Sequence, residues 1–355
     1  MLRTASLRAA KVAGGAAAAA NPGTFRFVAS DMDGTVLSPH HTLSEYTAET
    51  LRRLTQDHHV PFIFATGRVY ADVAAINQHM QRFFQERRLQ LPPVPSTPWA
   101  RTPTYIITSN GAVAHDAETG SLVLERALDP GVVRELYHLL PRSETRINTG
   151  IIQGEHWFYR MDWEEMLQFH RESGYRYRVL QHIPELGVAK GSAGTTNTAT
   201  TIAAASSSSC AVEGDLAHVH KVFFSSWDRP LLEKLESLLQ QRYGDHLTVT
   251  FSAAYNVDIT AKGVTKASAL EQLFTTMPPL PHETASSATP EQRLKATVAF
   301  GDDLNDAAML SGVGRGYIMG NCNPQLRQRC PQLEVIETNA HDAVARKLRE
   351  LFRLE

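Results

Sequence analysis

The sequence predicts an α/β protein: a doubly wound parallel sheet with a smaller α+β module inserted into it. Apolar, strand-like runs alternate with helical segments over 24–112 and again after residue 262, which is typical of a parallel sheet covered by helices on both faces. Between these two parts the pattern changes to hairpins mixed with helices. We therefore assign 24–126 and 253–355 to the sheet domain and 127–252 to the inserted module.

The overall composition is that of a globular protein and argues against two classes of partner. The 355 residues carry 35 basic and 37 acidic side chains, so no global field points to nucleic acid or to an anionic membrane. No run of about 18 apolar residues is present, so no membrane-spanning helix is predicted. Cys210, Cys322 and Cys330 are odd in number and lack metal-ligand spacing, which indicates a reducing compartment. We expect a cytoplasmic protein.

The first 23 residues differ in composition from the rest of the chain. They contain Arg3, Arg8 and Lys11, many alanines and no acidic side chain. Such a stretch resembles an organelle-import presequence, which would direct the protein to a mitochondrion. The alanine–glycine run 13–20 is generic low complexity, and it favours a plain disordered extension. In either case residues 1–23 are excluded from the fold.

The first half of the sheet domain is predicted as strand, helix, strand, helix, strand. An apolar run that begins at Phe25 forms the first strand, and a helix follows over 45–58. The run VPFIFATGR, at 60–68, repeats the first pattern and precedes a helix over 69–84. TYIITSNGA, at 104–112, is the third strand and ends in a polar turn that contains glycine.

The inserted module combines hairpins with helices. TRINTGIIQG and EHWFYRM predict an antiparallel hairpin, and LAHVHKVFFSSW, HLTVTF and YNVDIT predict further strands. PGVVRELYHLL, DWEEMLQFHRESG and DRPLLEKLESLLQQRYG read as helices. The stretch 187–214 is rich in Ser, Thr, Ala and Gly and cannot bury enough apolar surface to order itself, so we predict a disordered surface loop there. The sheet domain then resumes and ends in an amphipathic helix over 340–353.

Polar side chains follow four of the predicted strands at the point where each strand ends. They are Asp31 and Asp33, Thr66, Asn110, and the acidic turn with Asp302, Asn305 and Asp306. Ligands of open α/β sheets bind beyond the carboxyl ends of the strands, so these four turns should face one crevice. Lys266, near the start of a helix, lies within reach of the same crevice.

Clustered carboxylates with one lysine and one threonine form a suitable set for phosphoryl transfer. Like charges this close raise each other's pKa unless a cation or hydrogen bonds compensate. Oxygen ligands suit Mg²⁺, and a metal with a lysine neutralises phosphate charge, so that a carboxylate can approach an anionic ester. Taken singly, the first motif is compatible with an ordinary turn and the acidic turn with a helix N-cap. Their occurrence together, in order, favours the catalytic interpretation.

With these motifs, the chain resembles the haloacid dehalogenase superfamily, and most closely its Cof-type branch of sugar and small-metabolite phosphatases. DMDGT is similar to the first family motif, ATGR to the second, the second lysine of KGVTKASAL to the third and GDDLND to the fourth. SNGA and IMGN also resemble segments of that branch. The resemblance covers 24–350. The departures are the N-terminal extension and the loops 91–103, 187–214 and 276–293.

The resemblance implies a catalytic role for each motif. Asp31 would be the nucleophile that forms an aspartyl-phosphate, and Asp33 would protonate the leaving group and then activate water. Thr66 and Lys266 would hold the phosphoryl group. Lys262 precedes the same helix and competes for the third-motif role, although the family spacing favours Lys266.

The resemblance also implies a magnesium site. Asp31, Asp302 and the backbone carbonyl of Asp33 would bind Mg²⁺, with Asp306 or Asn305 in support. The partner is then a small phosphorylated molecule that enters a crevice covered by the inserted module, which takes the role of the family's cap.

Substrate contacts are less well defined by the motifs. Gly67, Arg68 and Asn110 are candidates, and Arg68 either touches substrate or caps a sheet edge. In the cap, the candidates are Trp157, Tyr159, Arg160, Arg176 and Arg178. The histidines His40, His41, His58, His59, His218 and His220 are interpreted as surface residues rather than ligands.

Two other functions stay open from the sequence. A phosphomutase of the phosphomannomutase kind shares this chemistry and a similar cap, but its acidic motif differs from GDDLND. A non-catalytic phosphometabolite-binding protein would not need an intact nucleophile. A dehalogenase is disfavoured because a leaving halide needs no proton, which would leave Asp33 without a role.

Overall fold

The computed structural model describes residues 25–90, 102–163, 177–180 and 216–355, apart from 282 and 285. The predicted extension 1–23, the predicted loop 187–214 and most of the helix predicted at 162–174 lie outside these residues. Within the described ranges, no helix has the length and apolar character needed to cross a membrane.

The larger sheet contains eight strands. They are β1 (Phe27–Ser30), β2 (Phe62–Ala65), β3 (Tyr105–Thr108), β4 (Val113–Asp116), β5 (Leu122–Glu125), β12 (Thr297–Gly301), β13 (Arg315–Ile318) and β14 (Glu334–Val335). Their order is β14-β13-β12-β1-β2-β3-β4-β5. All neighbours from β14 to β3 pair parallel, and β4 and β5 add an antiparallel edge.

Helices cover both faces of this sheet, which confirms the predicted doubly wound fold. One face packs against α1 (Glu45–Arg52), α2 (Tyr70–Gln90) and α9 (Ala343–Phe352). The other packs against α5 (Lys266–Thr276), α6 (Pro290–Lys295), α7 (Ala307–Gly312) and α8 (Pro324–Arg329). In β1 the side chains alternate: Val28 lies in the first cluster, and Phe27 and Ala29 lie in the second.

The described residues of the inserted module form a second sheet of six strands. Its strands are β6 (Asn148–Gln153), β7 (His156–Tyr159), β8 (Arg178–Val179), β9 (Val219–Ser225), β10 (Leu247–Ala253) and β11 (Asn256–Ala261). They are arranged as β10-β11-β9-β6-β7-β8, antiparallel except for the pair β7–β8. The helices α3 (Pro130–Tyr137) and α4 (Arg229–Tyr243) pack on one face of this sheet.

The other face of the second sheet is turned toward the larger sheet. In β9, Val222 and Phe224 pack with α3 and α4, whereas Phe223 packs with Val69, which follows β2. Because side chains alternate along a strand, Lys221 lies on the same face as Phe223. This face covers the carboxyl ends of the larger sheet.

Two predicted boundaries are corrected by the strand pairing. The module was predicted to end at residue 252, but β11 pairs with both β10 and β9, so its sheet extends to Ala261. The strand predicted over 104–112 ends at Thr108, because Ser109, Asn110 and Gly111 all have positive φ and reverse the chain into β4. Asn-Gly is a common hairpin-turn dipeptide, so the sequence carried this signal.

Candidate active site

The predicted polar turns meet at one edge of the larger sheet. The registers of β1 with β2 and with β12 bring three parallel strands to an end side by side. Asp31 follows β1, Thr66 follows β2 and Asp302 follows β12. These residues come from distant parts of the sequence, and the sheet brings them together.

A buried lysine joins two carboxylates at the centre of this edge. The ammonium of Lys266 donates to Oδ1 of Asp31 and to Oδ1 of Asp306, both at 2.7 Å. Lys266 is 1% exposed and Asp31 is 6% exposed. Burial raises the pKa of Asp31 well above its usual range, despite the opposing charge of Lys266. Burial opposes the charged form of Lys266 as well, but Asp306 and Asp31 outweigh it and raise the pKa of the ammonium.

Local structure at the start of α5 aims Lys266 into the site. The Thr265 hydroxyl accepts from the amide of Ser268, and the Ser268 hydroxyl accepts from the amide of Thr265, so the helix begins at Lys266. Gly111 packs directly against the Thr265 carbonyl, and a Cβ at this position would clash with the carbonyl oxygen. Its φ of 104° is also a backbone conformation that favours glycine. The ammonium of Lys262, in contrast, is exposed and donates to the Gly244 carbonyl.

Three carboxylates form a cluster with excess negative charge. Asp31, Asp302 and Asp306 offer oxygens that all lie within 4.8 Å of one another. Burial raises the pKa of Asp302 to about 7, and Asp306 adds to the effect. The Thr35 hydroxyl donates to Oδ1 of Asp302 at 2.9 Å. One ammonium cannot balance three carboxylates, and hard oxygen donors suit Mg²⁺, so this set fits a magnesium ion.

The acidic turn is both a helix cap and part of this cluster. Oδ2 of Asp306 accepts from the backbone amides of Asp302 and Asp303, at 3.0 and 3.1 Å. Asp303 caps the turn by accepting from the amide of Leu304. A Cβ at Gly301 would clash with the Asp306 side chain. The structural interpretation of this turn, a helix cap, is therefore compatible with a role in metal binding.

Asp33 does not join the carboxylate cluster. Arg68 donates to its two oxygens from Nε at 2.6 Å and from Nη2 at 2.5 Å, and Nδ1 of His41 lies 2.7 Å from Oδ1. Arg68 also donates to Asp72 at 2.9 Å. Burial alone would raise the pKa of Asp33, but the hydrogen bonds from Arg68 and His41 hold it well below its usual range. The Asp33 side chain is thus held as an anion by Arg68 and His41.

The turn after β2 supplies backbone and hydroxyl groups. Thr66 is buried, and its hydroxyl accepts from the amide of Arg68 at 3.1 Å. Asn110 is also buried; its amide group donates to Asp258 at 2.6 Å, and its oxygen accepts from Asn305 at 3.0 Å. Asn110 therefore lies behind the Thr66 turn instead of on the cavity wall, where a substrate-binding residue was predicted.

A cavity of about 420 Å³ lies between the two sheets, with the carboxylates on its floor. Both Asp31 and Asp302 line it, together with Thr66, Gly67 and Arg68. The wall facing them is largely aromatic and comes from the second sheet: Trp157, Tyr159, Phe223 and Tyr255. The cavity is large enough for a small organic phosphate.

The cap candidates predicted from the sequence separate into two groups. Trp157 and Tyr159 line the cavity. Arg160 points away, donating to the carbonyls of Leu140 and Glu144. Arg178 is exposed on β8. Arg176 lies outside the described residues.

Several residues of the site were missed by sequence reasoning. Thr35 belongs to DMDGT and was therefore detectable from the motif itself. Lys221, on β9, and Tyr255, in the turn between β10 and β11, reach the cavity from the second sheet, where no motif marks them. Three histidines interpreted as surface residues contact a carboxylate: exposed His41 contacts Asp33, and exposed His218 and buried His220 both contact Glu125.

Comparisons with known proteins show the family of this chain. The family model described as haloacid dehalogenase-like hydrolase matches residues 28–348. A Haemophilus influenzae relative, named only as a presumed phosphatase, is 33% identical over 93% of this chain and 98% of its own. A Shigella flexneri protein named HMP-PP phosphatase is 31% identical over 91% of this chain and 94% of its own.

Solved structures share the fold along most of the chain. A haloacid dehalogenase-like hydrolase from B. subtilis superposes with a TM-score of 0.63 at 21% identity, covering 92% of this chain and 99% of its own. A subclass IIB sugar phosphatase superposes with a TM-score of 0.61 at 16% identity, over 93% of this chain and 100% of its own. The motifs, the two-sheet architecture and these relatives agree: the chain belongs to the haloacid dehalogenase-like hydrolases, as a phosphoric monoester hydrolase of the Cof-type branch.

Proposed function

We propose that this protein is a Mg²⁺-dependent phosphatase that hydrolyses a small phosphorylated metabolite through an aspartyl-phosphate at Asp31. The observation that carries this proposal is the buried Asp31 carboxylate, which lines the cavity, is held by Lys266 and is clustered with Asp302 and Asp306. A nucleophile at this place meets the phosphorus of any ester that enters between the sheets.

Each residue has a defined task in the proposed reaction. An oxygen of Asp31 attacks phosphorus as the ester P–O bond breaks, and the leaving oxygen takes a proton from Asp33. Water then attacks the phosphorus of the aspartyl-phosphate and gives a proton to Asp33, which releases inorganic phosphate and restores Asp31. Lys266 and the Thr66 hydroxyl hold the phosphoryl oxygens.

The proposed metal site consists of Asp31 and Asp302, with the Asp33 backbone carbonyl and Asp306 or Asn305 in support. Bound Mg²⁺ would supply positive charge that lets the Asp31 carboxylate approach an anionic ester. Asp306 already shares Lys266 with Asp31, and Asn305 is hydrogen-bonded to Asn110. We therefore assign both to support of the site.

Asp33 must leave Arg68 before it can act on the leaving group. Arg68 lines the cavity, and its guanidinium is suited to bidentate binding of a phosphate. We infer that an anionic substrate competes for Arg68 and releases the Asp33 side chain. Without Arg68 the pKa of Asp33 rises, so Asp33 can take a proton from solvent and then turn toward the bond that breaks. Arg68 then has the first of the two roles left open by the sequence, that of a substrate contact.

The substrates to test come from the names of the relatives. We propose HMP-PP and sugar phosphates as the first candidates, since one relative is named an HMP-PP phosphatase and one structural neighbour a sugar phosphatase. The 420 Å³ cavity is compatible with molecules of this size.

The experiment is a phosphate-release assay over a panel of these compounds with added Mg²⁺, repeated with excess chelator and with Asp31→Asn. We expect release that needs Mg²⁺ and Asp31. On a hexose 1-phosphate, isomerisation without free phosphate would indicate a phosphomutase. Binding without turnover across the panel would indicate a phosphometabolite-binding protein.

A further inference from the structure

A buried lysine of the second sheet reaches across the cavity to the larger sheet. Lys221, on β9, is 6% exposed, and its ammonium donates to the Gly67 carbonyl at 3.0 Å and to Oδ2 of Asp258 at 2.9 Å. Gly67 lies between Thr66, which is proposed to bind the phosphoryl group, and Arg68, which holds the Asp33 carboxylate. The contact therefore fixes a peptide in the middle of the second motif.

The partner of Lys221 is fully buried and comes from the same sheet. Asp258, on β11, is 0% exposed and accepts from Lys221, from Asn256 and from Asn110. A buried carboxylate needs a countercharge and hydrogen bonds to offset its lost hydration, and Asp258 has both. The ion pair belongs entirely to the second sheet, since β9 and β11 are neighbours.

The hydrogen bonds continue from this pair into the acidic turn. Asn110 donates to Asp258 and accepts from Asn305, and its own backbone amide donates to the Thr66 carbonyl at 3.0 Å. Asn110 has φ 57°, a backbone conformation that non-glycine residues adopt infrequently and that asparagine tolerates. One buried network thus connects the second sheet to two catalytic turns.

We propose that Lys221 and Asp258 form a positioning pair that docks the second sheet in its closed position and holds the Thr66–Gly67 turn and Asn305 in register with Asp31. The kinetic part of this inference rests on the proposed function. The two groups of the pair move together with their sheet. If the second sheet moved away from the larger sheet, Lys221 and Asp258 would lose only their hydrogen bonds to the neutral Gly67 and Asn110 groups. Neither buried charge would be left unpaired.

The test uses the double variant Lys221→Met/Asp258→Asn, which removes both buried charges at once. The matched control is Arg242→Met/Glu135→Gln, which removes an exposed ion pair between α4 and α3 in the same module. The first measurement is hydrogen exchange of residues 62–69 in the absence of substrate. We expect exchange about tenfold faster in the double variant and no change in the control.

The second measurement is the turnover of an aryl phosphate by the same proteins. Loss of positioning should lower kcat by about tenfold or more with little change in KM, since the substrate's own contacts remain. A purely structural pair would lower the denaturation midpoint and leave the kcat of the folded enzyme unchanged. A direct substrate contact would raise KM without changing exchange. Either result would overturn the proposal.

A second variant covers the case in which the double variant does not fold. Asn110→Gly keeps the backbone conformation and the Lys221–Asp258 pair but removes the connection to Asn305. It should also accelerate exchange of 62–69, and unchanged exchange in this folded variant would overturn the inference. The exchange result does not depend on activity, so it stands even if no phosphorylated substrate is turned over.

Discussion

Lys266 is the residue that makes a cluster of buried carboxylates tolerable. Its ammonium touches Asp31 and Asp306 at 2.7 Å, and Asp302 completes the cluster without such a contact. Removing one partner of a buried ion pair leaves an uncompensated charge, which costs more than the pair itself contributed. The single lysine therefore supports both the stability of the site and the binding of an anionic substrate.

We expect Lys266→Met to abolish turnover and to lower the free energy of unfolding by roughly 3–5 kcal/mol in metal-free buffer. The matched control is Lys262→Met, whose side chain is exposed and only contacts the Gly244 carbonyl. Urea denaturation and a phosphate-release assay on both variants would decide between the two lysines. The opposite ranking would show that Lys262 has the third-motif role.

The proposed acid/base role of Asp33 leads to a prediction that depends on the leaving group. Asp33→Asn should slow turnover of an alkyl phosphate by roughly 10²–10⁴-fold, because the leaving alkoxide loses its proton donor. An aryl phosphate with an acidic phenol needs no proton, so the loss there should be much smaller. The control is Asp57→Asn, at an exposed carboxylate that pairs with the buried Arg52 guanidinium. Equal losses on both esters would contradict the acid/base assignment.

Single residues of the larger sheet were more predictable than those of the cap. The turns at Asp31, Thr66 and Asp302 follow apolar strands, so spacing and strand polarity were enough to bring them together. Lys221 and Tyr255 belong to no sequence motif and do not follow a strand of the larger sheet. Their positions depend on the pairing of β9, β10 and β11, which is a property of long-range register.

At the scale of elements, a histidine–glutamate cluster joins the edge of the larger sheet to the second sheet. On β5, Oε1 of Glu125 lies 2.7 Å from Nδ1 of His218 and 2.8 Å from Nε2 of His220. His115, on β4, stacks on Tyr70 at 3.7 Å, and its buried Nδ1 has no hydrogen-bond partner. Burial lowers the pKa of His115 to about 4, and nearby His220 adds to the effect.

This cluster should make the protein less stable in mild acid. The folded-state pKa of His115 is about 4 against an ordinary 6.5, so the unfolded chain binds the proton more tightly. The stability contribution of neutral His115 is therefore complete above about pH 6.5 and is lost as the pH falls toward about 4, on the order of 1–3 kcal/mol. Burial also lowers the pKa of His220, which acts in the same direction.

His115→Phe keeps a ring against Tyr70 and removes the titrating group. Urea denaturation of the wild type and this variant at about pH 7.5 and about pH 5 should show the wild type losing more stability on acidification. Two curves that fall in parallel would exclude His115 as the cause.

Elements were predictable where one pattern ran without interruption. The strand–helix–strand order over 24–112 predicted a parallel sheet, and β1 and β2 pair parallel. The hairpin predicted in the module is β6–β7. The antiparallel strand β4 was not predicted. The run 104–112 was interpreted as one strand that ends in a polar turn, whereas positive φ at Ser109–Gly111 reverses the chain into β4.

At the scale of the whole molecule, the site is completed by two sheets that face each other. The fold class and the insertion of an α+β module follow from the order of the sequence patterns. The extent of the module did not, because the boundary predicted at residue 252 divides the β10–β11 hairpin. Only the pairing of β11 with β9 assigns it to the cap.

Metal binding should be visible as a stability change of the whole protein. A ligand that binds only the folded state raises its stability with concentration, so Mg²⁺ should raise the Tm of chelator-treated protein. Asp302→Asn should remove most of this rise and Asp57→Asn none of it. An equal rise of Tm in Asp302→Asn would contradict the proposed site.

We expect Ca²⁺ to inhibit turnover, because its larger and looser coordination shell disturbs in-line geometry.

The most direct test of the central claim is capture of the phosphorylated enzyme. The protein is mixed with excess substrate and Mg²⁺, quenched in acid during turnover and digested for peptide mass analysis. We predict phosphate on the side chain of Asp31, labile to hydroxylamine as an acyl phosphate is, and its absence in Asp31→Asn, which should be folded and inactive. Repeated turnover by purified Asp31→Asn, or phosphate carried by a different residue, would contradict the account.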